Sequence, residues 1–290
     1  MNILITGANG QLGSDCKTIL APKHTLCCCD VERVDITDPK QVADIFADHR
    51  PEVLINCAAY TAVDACESNQ EQCRAINALG PGYLAEQCRR YDTRLIQVST
   101  DYVYDGRKAP PQPYYESDTP NPLSIYGKTK LEGDQAVAGH ANHVILRTAW
   151  LYGINGKNFL KTMLKLAVSD PTKTIRVVDD QYGSLTWSWR LAEQIERLVE
   201  SDLTGVVHGS SEGYATWYES ARYFLDAMGV TYSMEPCTTA EYPTPAVRPG
   251  NSILENNCLK ANGLNIMQDW RADVDEFVHQ YRARLLDEIQ

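Results

Sequence analysis

"MNILITGANGQLG" (residues 1–13) opens the chain, and its reading decides the fold. The run Asn2–Thr6 is short, apolar and β-prone, which predicts a strand. Gly7, Gly10 and Gly13 follow at once, and a helix is expected near residues 11–20, with Gln11 and Leu12 in its first turn. The spacing is GxxGxxG rather than GxGxxG, but the physics is similar. Glycine permits the tight turn and lets backbone N–H groups at a helix N-terminus approach a pyrophosphate. With no basic n-region, the segment reads as the first strand of a fold and not as a signal peptide.

Outward from this turn the pattern repeats. Strands are predicted over 24–29, 52–57, 94–99 and 143–148, separated by helices over 39–50 and about 69–90 and by a helix that carries "IYGKTKLEG" (125–133). Short apolar strands alternating with helices imply an α/β fold with a doubly wound, mostly parallel sheet of the Rossmann type, covered on both faces. The second half is less regular. Helices are predicted near 157–168, 187–200 and 216–228, and strands at 173–180 and 205–210. The proline-rich run 235–252 reads as a functional loop. Trp270, Val274, Phe277, Val278, Tyr281 and Leu285 recur at helical spacing and are expected in the core. The expected division is a dinucleotide-binding unit over 1–150, with returning elements near 173–205, and a smaller interleaved C-terminal substrate lobe over 151–290.

Composition narrows the function classes. A formal net charge of −11 over 290 residues argues against general nucleic-acid binding, which needs a basic surface. No stretch approaches the ~18–20 apolar residues of a membrane span. Ten cysteines show no paired CxxC spacing, and they read as buried free thiols in a reducing cytoplasm. No clustered Cys or His spacing suggests zinc.

Three positions suggest chemistry. Asp30 ends the second strand, near the ~20-residue offset of a carboxylate that binds the adenosine ribose. A carboxylate there favours NADH and repels the 2′-phosphate of NADPH, while nearby Arg33 could offset that repulsion. Tyr126 and Lys130 lie four apart, on one face of a helix. An ammonium beside a phenol lowers its pKa from about 10. The strand "RLIQVS" leads into Ser99 and Thr100, and ligands of such sheets bind beyond the carboxyl ends of the strands. A hydroxyl, a tyrosine acid and a lysine together make a carbonyl-reduction site. Alone, the tyrosine–lysine spacing reads as ordinary exposed helix.

"TGANGQLG" (6–13), "STDYVYDG" (99–106) and "YGKTK" (126–130) resemble the extended short-chain dehydrogenase/reductase family. "NCAAYTAVDACE" (56–67), "NPLSIYGKTKLEG" (121–133), "LRTAWLYG" (146–153), "VVDDQYGSLT" (177–186) and "YPTPAVRPGNS" (242–252) narrow the resemblance to its dTDP-4-dehydrorhamnose reductase branch. The resemblance implies reduction of the C4 keto group of dTDP-4-dehydro-L-rhamnose by NADH or NADPH, with Thr100, Tyr126 and Lys130 catalytic. It implies that Asp35, Ile36, Ala59, Tyr60, Thr61 and Val98 line the cofactor, besides the glycine turn and Asp30. Val63, Asp101, Tyr102 and Trp150 match nucleotide-sugar contacts. Gln181, Tyr182 and Arg248 are further substrate candidates, with Arg248 placed to meet a phosphate. Packing is the alternative for Val63 and Trp150, and a surface ion pair for Arg248. Some members dimerise around Mg²⁺ held by carboxylates. Asp15 keeps one matched position, but Trp189 occupies another and cannot ligate a metal, so the expectation is a monomer or a metal-free homodimer.

Two other readings stay open. A 4,6-dehydratase needs Asp–Glu after the strand-end threonine, whereas this chain has Asp101–Tyr102; a 4-epimerase fits the tail motifs poorly. A non-catalytic subunit, similar to the methionine adenosyltransferase β subunit, would keep nucleotide binding without turnover.

Overall fold

In the computed structural model, which describes residues 1–289, the first half alternates strands and helices. It comprises β1 (Asn2–Thr6), α1 (Gln11–Leu20), β2 (Thr25–Cys29), α2 (Pro39–His49), β3 (Val53–Asn56), α3 (Val63–Cys66), α4 (Gln70–Arg74), α5 (Gly80–Tyr91), β4 (Arg94–Thr100), α6 (Ile125–Ala138) and β5 (His143–Thr148). The second half adds β6 (Leu151–Tyr152), α7 (Phe159–Ser169), β7 (Thr174–Val178), β8 (Tyr182–Gly183), β9 (Thr186–Trp187), α8 (Ser188–Val199), β10 (Gly205–His208) and β11 (Ala215–Thr216). It continues with α9 (Trp217–Met228), β12 (Ser233–Cys237), β13 (Asn251–Ser252), α10 (Asn257–Ala261) and α11 (Trp270–Asp287).

Six strands form one parallel sheet in the order β10-β5-β4-β3-β1-β2. This is the doubly wound Rossmann arrangement. The order reverses between β1 and β3, so a crevice opens beyond their carboxyl ends. The strands need no alternation, because both faces are covered: Val53, Leu54 and Ile55 of β3 are all buried. One face carries α2 and α5, whose Val42, Phe46, Leu84 and Cys88 pack on Leu4 and Leu54. The other carries α1 and α8, whose Leu12, Cys16, Leu191 and Ile195 pack on Ile3 and Ile5. Each such side chain contributes about 1.5–3 kcal/mol by leaving water.

Local chemistry sets the boundaries. Asp38 caps α2 by accepting from the N–H groups of Lys40 and Gln41, Pro39 stands in its first turn, and Arg50 ends it in the left-handed region. Ser124 caps α6 through the Gly127 N–H at 3.1 Å. Thr216 and Glu219 form a reciprocal capping box at α9.

Beyond β5, a second apolar cluster gathers Tyr152, Leu164, Trp187 and Phe224 around Trp270, Val274, Phe277, Val278 and Leu285 of α11. The C-terminal stripe is therefore core, except that Tyr281 is only partly buried. Two readings need correction. Residues 69–90 are not one α-helix, because a π-helical turn over Ala75–Leu79 joins α4 to α5. The run 235–252 is not wholly loop: β12 pairs in parallel with β7, and β13 with β8.

Candidate active site

A cleft of about 1130 Å³ opens at the carboxyl ends of β1, β3 and β4. Gly7, Gly10, Gln11, Leu12, Asp30, Asp35, Ile36, Ala59, Thr61, Val98, Tyr126 and Lys130 line it among the expected cofactor residues. At the glycine turn, no side chain caps α1, which leaves first-turn N–H groups for an anion. Gly13 is fixed by close approach: a Cβ there would come within 2.2 Å of the Gly7 carbonyl oxygen. The Asp30 carboxylate accepts from the backbone N–H of Asn9 at 2.8 Å and of Val31 at 2.9 Å, tying the end of β2 to the glycine turn. Arg33 turns elsewhere, donating to the Cys28 carbonyl at 3.2 Å and meeting His49 Nε2 at 3.1 Å. The uncapped helix end, the Gly13 cradle and a strand-end carboxylate together fit a nicotinamide dinucleotide.

Tyr60 contributes backbone rather than side chain. Its N–H donates to Asn77 Oδ1 at 2.8 Å, and its carbonyl accepts from Asn77 Nδ2 at 3.1 Å. This clamp positions the neighbouring Ala59 and Thr61 on the cleft wall.

At the middle of the cleft, β4 delivers Thr100 and α6 delivers Tyr126 and Lys130. Gly127 makes this approach feasible, since a Cβ there would lie 2.2 Å from the Tyr102 carbonyl oxygen. Burial raises the Tyr126 phenol pKa, and a hydrogen bond with Thr100 offsets that rise only in part. Lys130 is also buried and points its Nζ at the Val98 carbonyl, 2.7 Å away. Desolvation lowers its pKa, while Asp134 one turn on supports the cation. At Tyr126 burial is the largest influence on the phenol, while the Lys130 ammonium meets the Val98 carbonyl.

Thr100 Oγ1 donates to Asp101 Oδ1 at 2.9 Å and accepts from the Tyr102 N–H at 3.2 Å. Burial pushes the Asp101 carboxyl up to about 6, against hydrogen bonds from Ser252 and Thr100. Beneath these groups, Asp134 Oδ2 accepts from Ser99 Oγ at 2.9 Å and from Arg147 Nε and Nη2, each at 3.3 Å. The Tyr102 ring meets Tyr126 edge-on, with centroids 5.4 Å apart.

Of the substrate candidates, Val63, Thr100, Asp101, Tyr102 and Trp150 reach the cleft. Trp150 does so with a left-handed backbone, φ 49°, which costs about 1–3 kcal/mol in a non-glycine residue. Its indole stacks on Trp217 at 3.6 Å between centroids, and Phe159 closes on Trp217 at 4.6 Å. Gln181, Tyr182 and Arg248 lie off the lining. Gln181 accepts from Trp217 Nε1 at 3.2 Å and donates to Thr239 Oγ1 at 3.0 Å, so it holds the aromatic wall from behind. Tyr182 belongs to β8, where its N–H donates to the Gly250 carbonyl at 3.0 Å. Arg248 donates from both terminal nitrogens to Asp64, at 3.0 and 2.9 Å.

Sequence reasoning missed Trp217, Phe159 and Asn158 on this wall. Asn158 caps α7 through the Lys161 N–H at 3.1 Å and donates to Gln11 Oε1 at 3.0 Å. The asparagine before "FLKTML" is a helix-start signal, but nothing local shows that it reaches Gln11. Asp15 is buried and accepts from Ser188 Oγ at 2.5 Å, while Trp189 packs against the C-terminal cluster. Among the described residues, no three His, Cys, Asp or Glu side chains group as a metal site requires.

Comparison with known proteins agrees with this geometry. Residues 1–283 match the family described as RmlD substrate binding domain. A dTDP-4-dehydrorhamnose reductase of Streptomyces griseus is 37% identical, covering 94% of this chain and 91% of that protein. A crystal structure of a dTDP-4-dehydrorhamnose reductase from Clostridium acetobutylicum superposes with a TM-score of 0.94 at 39% identity, over 97% of this chain and 100% of that one. The Bacillus anthracis dTDP-4-dehydrorhamnose reductase, solved in complex with NADP, gives a TM-score of 0.93 at 36% identity, over 96% and 99%. By motif, fold and full-length similarity, the chain belongs to the RmlD substrate binding domain family of extended short-chain dehydrogenase/reductase folds.

Proposed function

We propose that this chain is an NAD(P)H-dependent oxidoreductase that reduces the C4 keto group of dTDP-4-dehydro-L-rhamnose to dTDP-L-rhamnose. The observation that carries the reading is the convergence of Thr100, Tyr126, Lys130 and the glycine turn on one cleft. Full-length relatives named for this reaction support it.

The bound dinucleotide supplies the hydride. Tyr126, kept protonated by burial, donates its proton to the oxygen that becomes the hydroxyl. Thr100 orients that oxygen and shares its developing charge. Lys130 stands one turn behind, where it can hold the nicotinamide ribose. The Trp150–Trp217 wall, Val63 and Tyr102 hold the nucleotide sugar. Asp30, with Arg33 turned away, favours NADH over NADPH. We assign the chain to the cytoplasm as a monomer or metal-free homodimer.

The test is NADH consumption with dTDP-4-dehydro-L-rhamnose. Formation of dTDP-L-rhamnose in step with NADH loss supports the reading. No turnover at saturating cofactor overturns it and favours a nucleotide-binding subunit without activity.

A further inference from the structure

Helices α3 and α4 press two thiols together under the catalytic tyrosine. Cys73 Sγ lies 2.8 Å from Cys66 Sγ, and both side chains are fully buried. A disulfide holds its sulfurs at about 2.05 Å, so the two need to close by less than an ångström. No comparable proximity appears elsewhere along β2, where Cys27 and Cys29 stand two residues apart with sulfurs 3.8 Å from each other.

We propose that Cys66 and Cys73 are a reversible intramolecular disulfide site. Oxidation balances as thiol–disulfide exchange. One cysteine, as thiolate, attacks a small-molecule disulfide of the glutathione type and releases one glutathione thiolate. The second cysteine then displaces the other glutathione from the mixed disulfide. Two protein thiols lose two electrons and two protons, and one glutathione disulfide becomes two glutathione thiols.

The surroundings explain both the latency of the pair and its reach. Burial pushes the Cys66 thiol pKa up, so the closed pair reacts slowly. Yet α3 is a single turn of four residues, far below the ~12–15 that sustain an isolated helix. Local opening of this segment is therefore the route by which an oxidant enters. Cys66 and Tyr126 share one apolar cluster. Cys73 also meets Thr129 Oγ1 at 3.2 Å and Asn77 Nδ2 at 3.3 Å. A bond there staples α3 to α4 beneath Tyr126 and beside the Asn77 clamp on Tyr60.

The test uses the unaltered full chain, without denaturant, in buffers of increasing oxidised-to-reduced glutathione ratio. Free thiols are then alkylated in denaturant, and the chain is cleaved after glutamate, which separates the two cysteines at Glu67 and Glu71. The expected product is a Cys66–Cys73 crosslinked peptide pair, lost on addition of dithiothreitol, with the other eight of ten cysteines alkylated (10 − 2 = 8). Cys73→Ala should abolish the crosslinked pair, with Cys66 recovered alkylated or as its unresolved glutathione adduct. The proposal is overturned if, in the unaltered chain, both cysteines alkylate throughout, if either stops at the glutathione adduct, or if either bonds to another cysteine. Peptide mapping does not depend on turnover, so the outcome is separate from that of the reductase reading.

Discussion

At Tyr126 two effects oppose each other. Removal from water raises the phenol pKa, the neighbouring Thr100 hydroxyl lowers it, and the first effect is larger. A proton donor that stays protonated suits a reductase. Tyr126→Phe should lower kcat about 10²–10⁴-fold while NADH binding, followed by fluorescence titration, stays within a few-fold. Lys130 behaves in the opposite sense, because desolvation lowers its pKa. The alkaline limb of kcat/KM should therefore fall with an apparent pKa below the ordinary lysine value of about 10.4. Asp101 allows a stability test. Its carboxyl is pushed up to about 6, so the fold holds its proton more tightly than the unfolded chain does. That contribution is full below about pH 4 and is lost as pH rises through about 6. Urea denaturation should show wild type losing stability between about pH 5 and pH 7.5, with about 1.4 kcal/mol of that loss absent in Asp101→Asn.

Among the elements, α6 shows how a helix with two interior glycines can be the right choice. Alanine is favoured over glycine inside a helix by about 1 kcal/mol. At Gly133, however, a Cβ would meet the Asn77 carbonyl oxygen at 2.2 Å. The contact is backbone, so nothing flexible can yield. Overpacking of this kind costs about 1–3 kcal/mol, and Gly133→Ala should lower the urea midpoint despite its better propensity. Asn77 lies in the π-helical turn, so the clash would also reach the clamp on Tyr60. These elements also show what could be read in advance. The six strands of the main sheet were legible because each is a short apolar run, and α6 because its tyrosine and lysine sit at helical spacing. The π turn was not, since the phase shift it puts into the apolar stripe falls within a few residues and looks like ordinary irregularity. β12 was not, because "SMEPC" becomes a strand only through its partner β7, almost 60 residues earlier. Trp217 and Phe159 carry no local signal, and only tertiary packing brings Trp217 onto Trp150 and Phe159 onto Trp217 at the cleft.

For the molecule as a whole, the C-terminal segment is tied back onto the first half. Arg248 grips Asp64 with two nitrogens, and Asp64 also accepts from the Ala246 N–H at 3.1 Å. The Asp64 side chain is 41% exposed, so the pair contributes at most about 1 kcal/mol. Its value lies in placement. Arg248→Ala should leave the melting temperature nearly unchanged and raise KM for the nucleotide sugar several-fold with kcat retained, as steady-state kinetics on the two variants would show. Arg190, its side chain 12% exposed, joins α8 to α11 through Asp273 and Glu276, a deeper version of the same tie. The return of β10 to the edge of β5, with α8 lying on α1, has a practical consequence. Residues 1–150 cannot be excised as a working nucleotide-binding fragment. Such a fragment would present the bare edge of β5 and the apolar backs of Ile3, Ile5 and Leu12 to solvent, an invitation to pair with its own copies. Whoever truncates this chain at residue 150 should expect inclusion bodies.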